Sequence, residues 1–121
     1  MTDIGSSGLP ESLRARIAER SALSPIDKVR ALLHGYVHDA DSFDEVREEL
    51  RDTAETSTLF LEQYLVALET ILSEPQPEGT LLRLVAGDGN RGLDDPTDAS
   101  AAAYLRRLLE TLRSVIASAK G

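Results

Sequence analysis

Two histidines, His34 and His38, stand four residues apart in the tract ALLHGYVHDAD, with Asp39 and Asp41 directly behind them. On a helix that reaches residue 38, this spacing puts both imidazoles on one face, a geometry suited to zinc or another borderline metal. Hydrolysis there would also need a base to polarise metal-bound water. In helical metalloproteases that base is a Glu immediately after the first His, and here Gly35 takes its place. A His38–Asp39 dyad could serve metal-assisted phosphoester hydrolysis, but such centres draw further His and Asp ligands from other helices, and the chain has no third histidine. A small metal-dependent helical hydrolase centred on His34 and His38 is therefore the alternative reading. The leading one is a helix C-terminus, where partly protonated imidazole suits the negative end of the dipole. It implies a non-enzyme, with no catalytic residue, bound metal or cofactor.

Other chemistries lack their residues. Without cysteine there is neither a disulfide framework nor a thiolate ligand, which fits a reducing compartment. No G-x-S-x-G turn presents a nucleophile. In the segment AGDGNRG, Gly87, Gly89 and Gly92 fall at G-x-G-x-x-G spacing, but there is no P-loop lysine and the segment follows a helical pattern where phosphate loops follow a strand. DGNRGLDD lacks the alternating acids and terminal Glu of a calcium loop. Both read as one interhelical turn.

With 121 residues, the chain can bury one ordinary core. Apolar residues at 41% and charged residues at 28% suit a globular protein. The start, MTDIGSSGLPESL, has no basic stretch followed by an apolar run, and no eighteen consecutive residues are apolar, so a soluble, cytoplasmic protein is expected, without membrane contact. A net charge of −8 disfavours direct nucleic-acid binding, which needs clustered Lys and Arg to displace counterions. It suits a nucleic-acid mimic or a partner of a basic protein instead.

The elements that would position these residues follow helical spacing throughout. Residues 1–9 are Gly- and Ser-rich and are expected to be loose, leaving 10–121 as one helical domain. A first helix starts at Pro10, with Leu13, Ile17 and Leu23 as its stripe. Ser24 and Pro25 open a helix over about 25–38, with Ile26, Val29, Leu33, Tyr36 and Val37 on one side. Ser42 and Glu45 form a capping box for the next, whose Phe43, Val46, Leu50 and Ala54 fall within an arc of roughly 80°. STLFLEQYLVALETIL, with Leu61, Tyr64, Leu65, Leu68, Ile71 and Leu72, is dense enough to be central. Two prolines make 74–77 a loop, GTLLRLVAG is a short helix ending at Gly87, and Thr97 or Asp98 caps a long last helix. No period-two alternation calls for a strand. The expected fold is all-α, a compact irregular bundle of five to six helices with a long C-terminal helix, monomeric unless an apolar face completes a homo-oligomer.

The helix after Ser42 has a second property. Between residues 39 and 55 there are eight acids and two bases, a balance of −6 that accounts for three-quarters of the net charge. Helical geometry sends Asp44, Glu45, Glu48, Glu49, Asp52 and Glu55 opposite the apolar stripe, with Arg47 and Arg51 near the boundary. Such a face is either simply solvated or steers a cationic protein onto itself, with the 88–98 loop as a further contact.

Over about residues 28–113 the chain resembles the CdiI-type immunity proteins of bacterial contact-dependent growth inhibition. Their early Tyr-Phe-His-x-x-Asp-like tract is matched by Tyr36-Val37-His38-Asp39-Ala40-Asp41. SFDEVREEL, the apolar helix to Leu72, LLRLVAG and AYLRRLLETL follow in the family's order, with Tyr104-Leu105 where a Trp-Leu pair opens the last helix. The resemblance implies an immunity protein that binds a cognate polymorphic or contact-dependent toxin domain, often a nuclease, and blocks its active site or substrate surface. It makes Tyr36, His38, Asp41, Tyr104 and Leu105 framework, and permits the six acids to be the partner-binding face.

Overall fold

The computed structural model describes residues 11–120. The looseness expected of residues 1–9 lies outside them, as do the side chains of Leu13 and Ile17. Six α-helices and no strand are present among the described residues, so the fold is all-α. No helix there is long and apolar enough to cross a membrane.

Helix α1 (Glu11–Ser21) touches the rest through Gln63, whose side-chain amide donates to Ser21 Oγ at 3.0 Å. Helix α2 (Pro25–Leu32) opens as its capping residues require: Ser24 Oγ accepts from the Asp27 N–H at 3.2 Å, and Pro25 occupies the first turn, where a missing N–H costs nothing. The α-helix does not continue to residue 38. From Leu33 to Val37 the backbone widens into a π-helical turn, closed by the His38 N–H donating to the Leu33 carbonyl at 2.8 Å.

Helix α3 (Phe43–Thr56) begins at Ser42, whose Oγ accepts from the Glu45 N–H at 3.2 Å. Glu45 reaches back one residue further than the usual capping box, accepting from the Asp41 N–H at 3.2 Å. Its stripe is buried as the arc predicts: Val46, Leu50 and Ala54 fully, Phe43 partly. Helix α4 (Leu59–Ser73) lies between α2 and α6, which explains apolar residues on more than one of its sides. Prolines at 75 and 77 end it in a loop.

Helix α5 (Thr80–Arg83) is only four residues long and passes into a second π-turn, Leu84–Asp88, closed by the Gly89 N–H on the Leu84 carbonyl at 2.8 Å. The single short helix expected to end at Gly87 is thus two kinds of turn. The last helix, α6 (Asp98–Lys120), has 23 residues and spans about 34 Å at ~1.5 Å per residue. It buries Ala102, Leu105, Leu108, Leu109, Leu112, Val115 and Ile116.

Of the two residues that could cap α6, Thr97 does so, its Oγ1 accepting from the Ser100 N–H at 3.1 Å. Asp98 serves the neighbouring helix instead. Its carboxylate accepts from the Gly79 N–H at 2.7 Å and the Leu82 N–H at 2.9 Å, satisfying first-turn donors of α5, which has no side-chain cap of its own. These two backbone bonds hold the Asp98 carboxyl below the ordinary aspartate range. The bonding also explains how so short a helix keeps its place against α6.

Candidate functional site

The acidic arc of α3 is built on its buried stripe. Because Val46 and Leu50 are fully buried against the core, the opposite side of the helix must face solvent, and Asp44, Glu45, Glu48, Glu49, Asp52 and Glu55 are all exposed. They are not equivalent. Asp44 pairs with Arg47 at 2.8 Å, and Glu45 is occupied by the Asp41 N–H. Glu48, Glu49, Asp52 and Glu55 have no hydrogen bond or ion pair among the described residues. Four carboxylates therefore stand unpaired on about one-third of the helix circumference, at ~100° per residue.

The two framework tyrosines contact this helix near its two ends. The Tyr36 hydroxyl, from the first π-turn, lies 3.0 Å from Thr53 Oγ1, while its ring meets Tyr64 of α4 edge-on at 6.5 Å. At the start of α3, the half-buried Tyr104 of α6 packs edge-to-face on Phe43 at 5.8 Å. Burial raises the Tyr104 hydroxyl above the usual tyrosine range. Leu105, next to it, is fully buried. Asp41 contributes its backbone N–H to the cap of α3, and its side chain is exposed.

The histidine tract sits where the two π-turns meet. His34 Nε2 lies 2.9 Å from Asp88 Oδ1, and Arg30 Nε approaches the other oxygen of the same carboxylate at 3.5 Å. His38 stacks on His34 with ring centres 5.6 Å apart, and its Nδ1 lies 3.0 Å from Asp39. Asn90 donates its side-chain amide to the His38 carbonyl at 3.3 Å; its own backbone is left-handed (φ 52°), a conformation Asn tolerates. Close approach demands Gly89: a Cβ there would stand 2.8 Å from the Val85 carbonyl and 3.4 Å from Leu33.

Each histidine thus commits one ring nitrogen to a carboxylate, and Asp41 does not join them. Among the described residues no group of three or more His, Cys, Asp or Glu is arranged to hold a metal ion. The tract is a junction between helix ends 54 residues apart in sequence. Sequence reasoning missed Asp88, Arg30 and Asn90, because nothing local in AGDGN says that its acid faces a histidine on another helix. The only hint was an acid immediately after Gly87, where a helix dipole would favour a base.

No protein-family model matches the chain, and no curated protein and no solved structure is significantly similar to it.

Proposed function

We propose that this protein is a bacterial immunity protein, which binds the toxic domain of a contact-dependent or other polymorphic toxin and blocks its active site or substrate surface. The observation that carries the reading is the set of four unpaired carboxylates, Glu48, Glu49, Asp52 and Glu55, held on one solvent-facing arc of α3. A nuclease must present positive surface to its nucleic acid. A rigid acidic helix can occupy that surface and be steered to it by charge, raising the on-rate in a salt-dependent manner. Such a role needs no reaction at the protein's own side chains. The order of tracts from Tyr36 to Tyr104-Leu105 supports the same reading, by resemblance.

The reading expects a toxin domain to be encoded beside this protein's reading frame, and the test uses that domain. Co-expression of the wild-type chain should restore growth. The combined variant Glu48→Lys, Glu49→Lys, Asp52→Lys, Glu55→Lys should keep its helical content yet lose protection, with on-rates reduced by ~10-fold or more at low salt. A folded quadruple variant that protects as well as wild type, with unchanged on-rate, removes α3 as the binding face.

A further inference from the structure

On the flank of α3 that meets α6, the charge reverses. A groove of about 260 Å³ runs between the two helices, and Arg47, Arg51 and Arg107 line it together with the hydroxyl residues Ser114 and Ser118. The Arg107 guanidinium lies over the Phe43 ring, 3.9 Å from its centre, and Arg47 stands 5.8 Å from the same ring. Stacking on an aromatic face fixes a guanidinium's plane while leaving its N–H edge open. Arg47 is paired with Asp44, but Arg51 and Arg107 have no carboxylate partner among the described residues. In a chain of net charge −8, three arginines converging on one groove repel each other while carboxylates elsewhere stand unpaired. Glu110, the acid on the groove wall, is drawn toward Arg113 by a 2.8 Å ion pair.

We infer that this groove binds a compact phosphate group. Guanidinium forks match tetrahedral oxyanions bidentately, and serine hydroxyls supply further donors. The volume is slightly below the usual range for small-molecule sites, room for a phosphate and a small part of its bearer. An extended polyanion is excluded, because the exposed acids Glu48, Asp52 and Glu55 follow Arg51 around the same helix. This inference goes beyond toxin neutralisation and does not rest on it.

Inorganic phosphate and glycerol phosphate are titrated into the full chain while the arginine Nε–H resonances are followed by NMR, with sodium chloride at matched ionic strength as reference. Saturable shifts of Arg51 and Arg107 are expected with phosphate and not with chloride. Tighter binding of the ester identifies an esterified phosphate as the ligand, and tighter binding of the free ion identifies phosphate itself. Arg51→Gln should weaken the better ligand by about tenfold, since one charge-assisted fork is lost. Arg113→Gln should also weaken it by releasing Glu110, whereas Arg16→Gln on α1 should leave it unchanged. Shifts that only follow ionic strength, or an unaltered affinity in a folded Arg51→Gln variant, overturn the assignment.

Discussion

On α3, Glu48, Glu49, Asp52 and Glu55 face solvent without a partner among the described residues, whereas Asp88 and Asp98, on either side of the Gly-rich loop, each hold two donors from distant parts of the fold. Asp88 joins the first π-turn to the second, and Asp98 caps a helix that lacks its own cap. The contrast separates carboxylates that build the molecule from carboxylates that the molecule displays. Charge density along the chain marks the second group and is blind to the first, since Asp88 and Asp98 sit among other acids and glycines in an ordinary-looking turn.

The largest effect on this contrast comes from removing the platform beneath the displayed acids. Leu50 is fully buried in the α3 stripe, and Leu50→Ala should cost about 2–5 kcal/mol in denaturant unfolding, through lost transfer energy and the cavity left behind. A loss below ~1 kcal/mol would mean that α3 is not anchored through this side chain.

Asp98 carries the next largest effect. Its carboxyl sits below the ordinary value of 3.8 because the Gly79 and Leu82 N–H groups bond to the charged form. The unfolded chain therefore binds this proton at higher pH than the folded one, and stability falls as pH drops from about 3.8 through the lower folded value. Asp98→Ala should lower Tm by several degrees at neutral pH and remove part of the acid loss, bringing variant and wild type together in strong acid. Glu62, also lowered, by Thr58 and Lys120, should keep its own share of that loss in both. Parallel curves for the two proteins across the acid range would show that Asp98 is not the linked group.

The same division between local and distant contacts runs through the secondary structure. Ser24, Ser42, the apolar arcs and the prolines at 75 and 77 act within four residues of themselves, so caps, stripes and breaks were legible. The π-turns were not: Leu33–Val37 and Leu84–Asp88 keep helical spacing in sequence, and their extra backbone residue is favoured by packing against each other. Likewise the exposure of the six α3 acids follows from the buried stripe, while the split into two occupied and four unpaired acids depends on Arg47 and Asp41. The arginine groove was out of reach, since Arg107 meets Arg47 and Arg51 only after α6 docks on α3.

A smaller effect is expected at the junction. His34 and Asp88 are partly exposed, so their pair contributes at most ~1 kcal/mol. Asp88→Ala should accordingly change global stability little, yet speed hydrogen exchange at the His38 and Gly89 amides, whose bonds close the two π-turns at 2.8 Å. If both amides exchange at wild-type rates, packing around Gly89 alone holds the turns together.

The smallest change falls on the displayed acids, and it has the opposite sign. Glu48 and Asp52 are one turn apart, and like charges at that spacing disfavour a helix by ~0.2–0.5 kcal/mol. Glu48→Gln with Asp52→Asn should leave the unfolding midpoint unchanged or slightly higher, because no folded-state partner is lost, whereas the same neutralisation at Asp88 or Asp98 removes one. A measurable fall in stability would mean that the arc holds a structural contact, and these carboxylates would then belong with those that build the fold. Unchanged or improved stability leaves the repulsion between them uncompensated among the described residues, as the proposed partner-binding role requires.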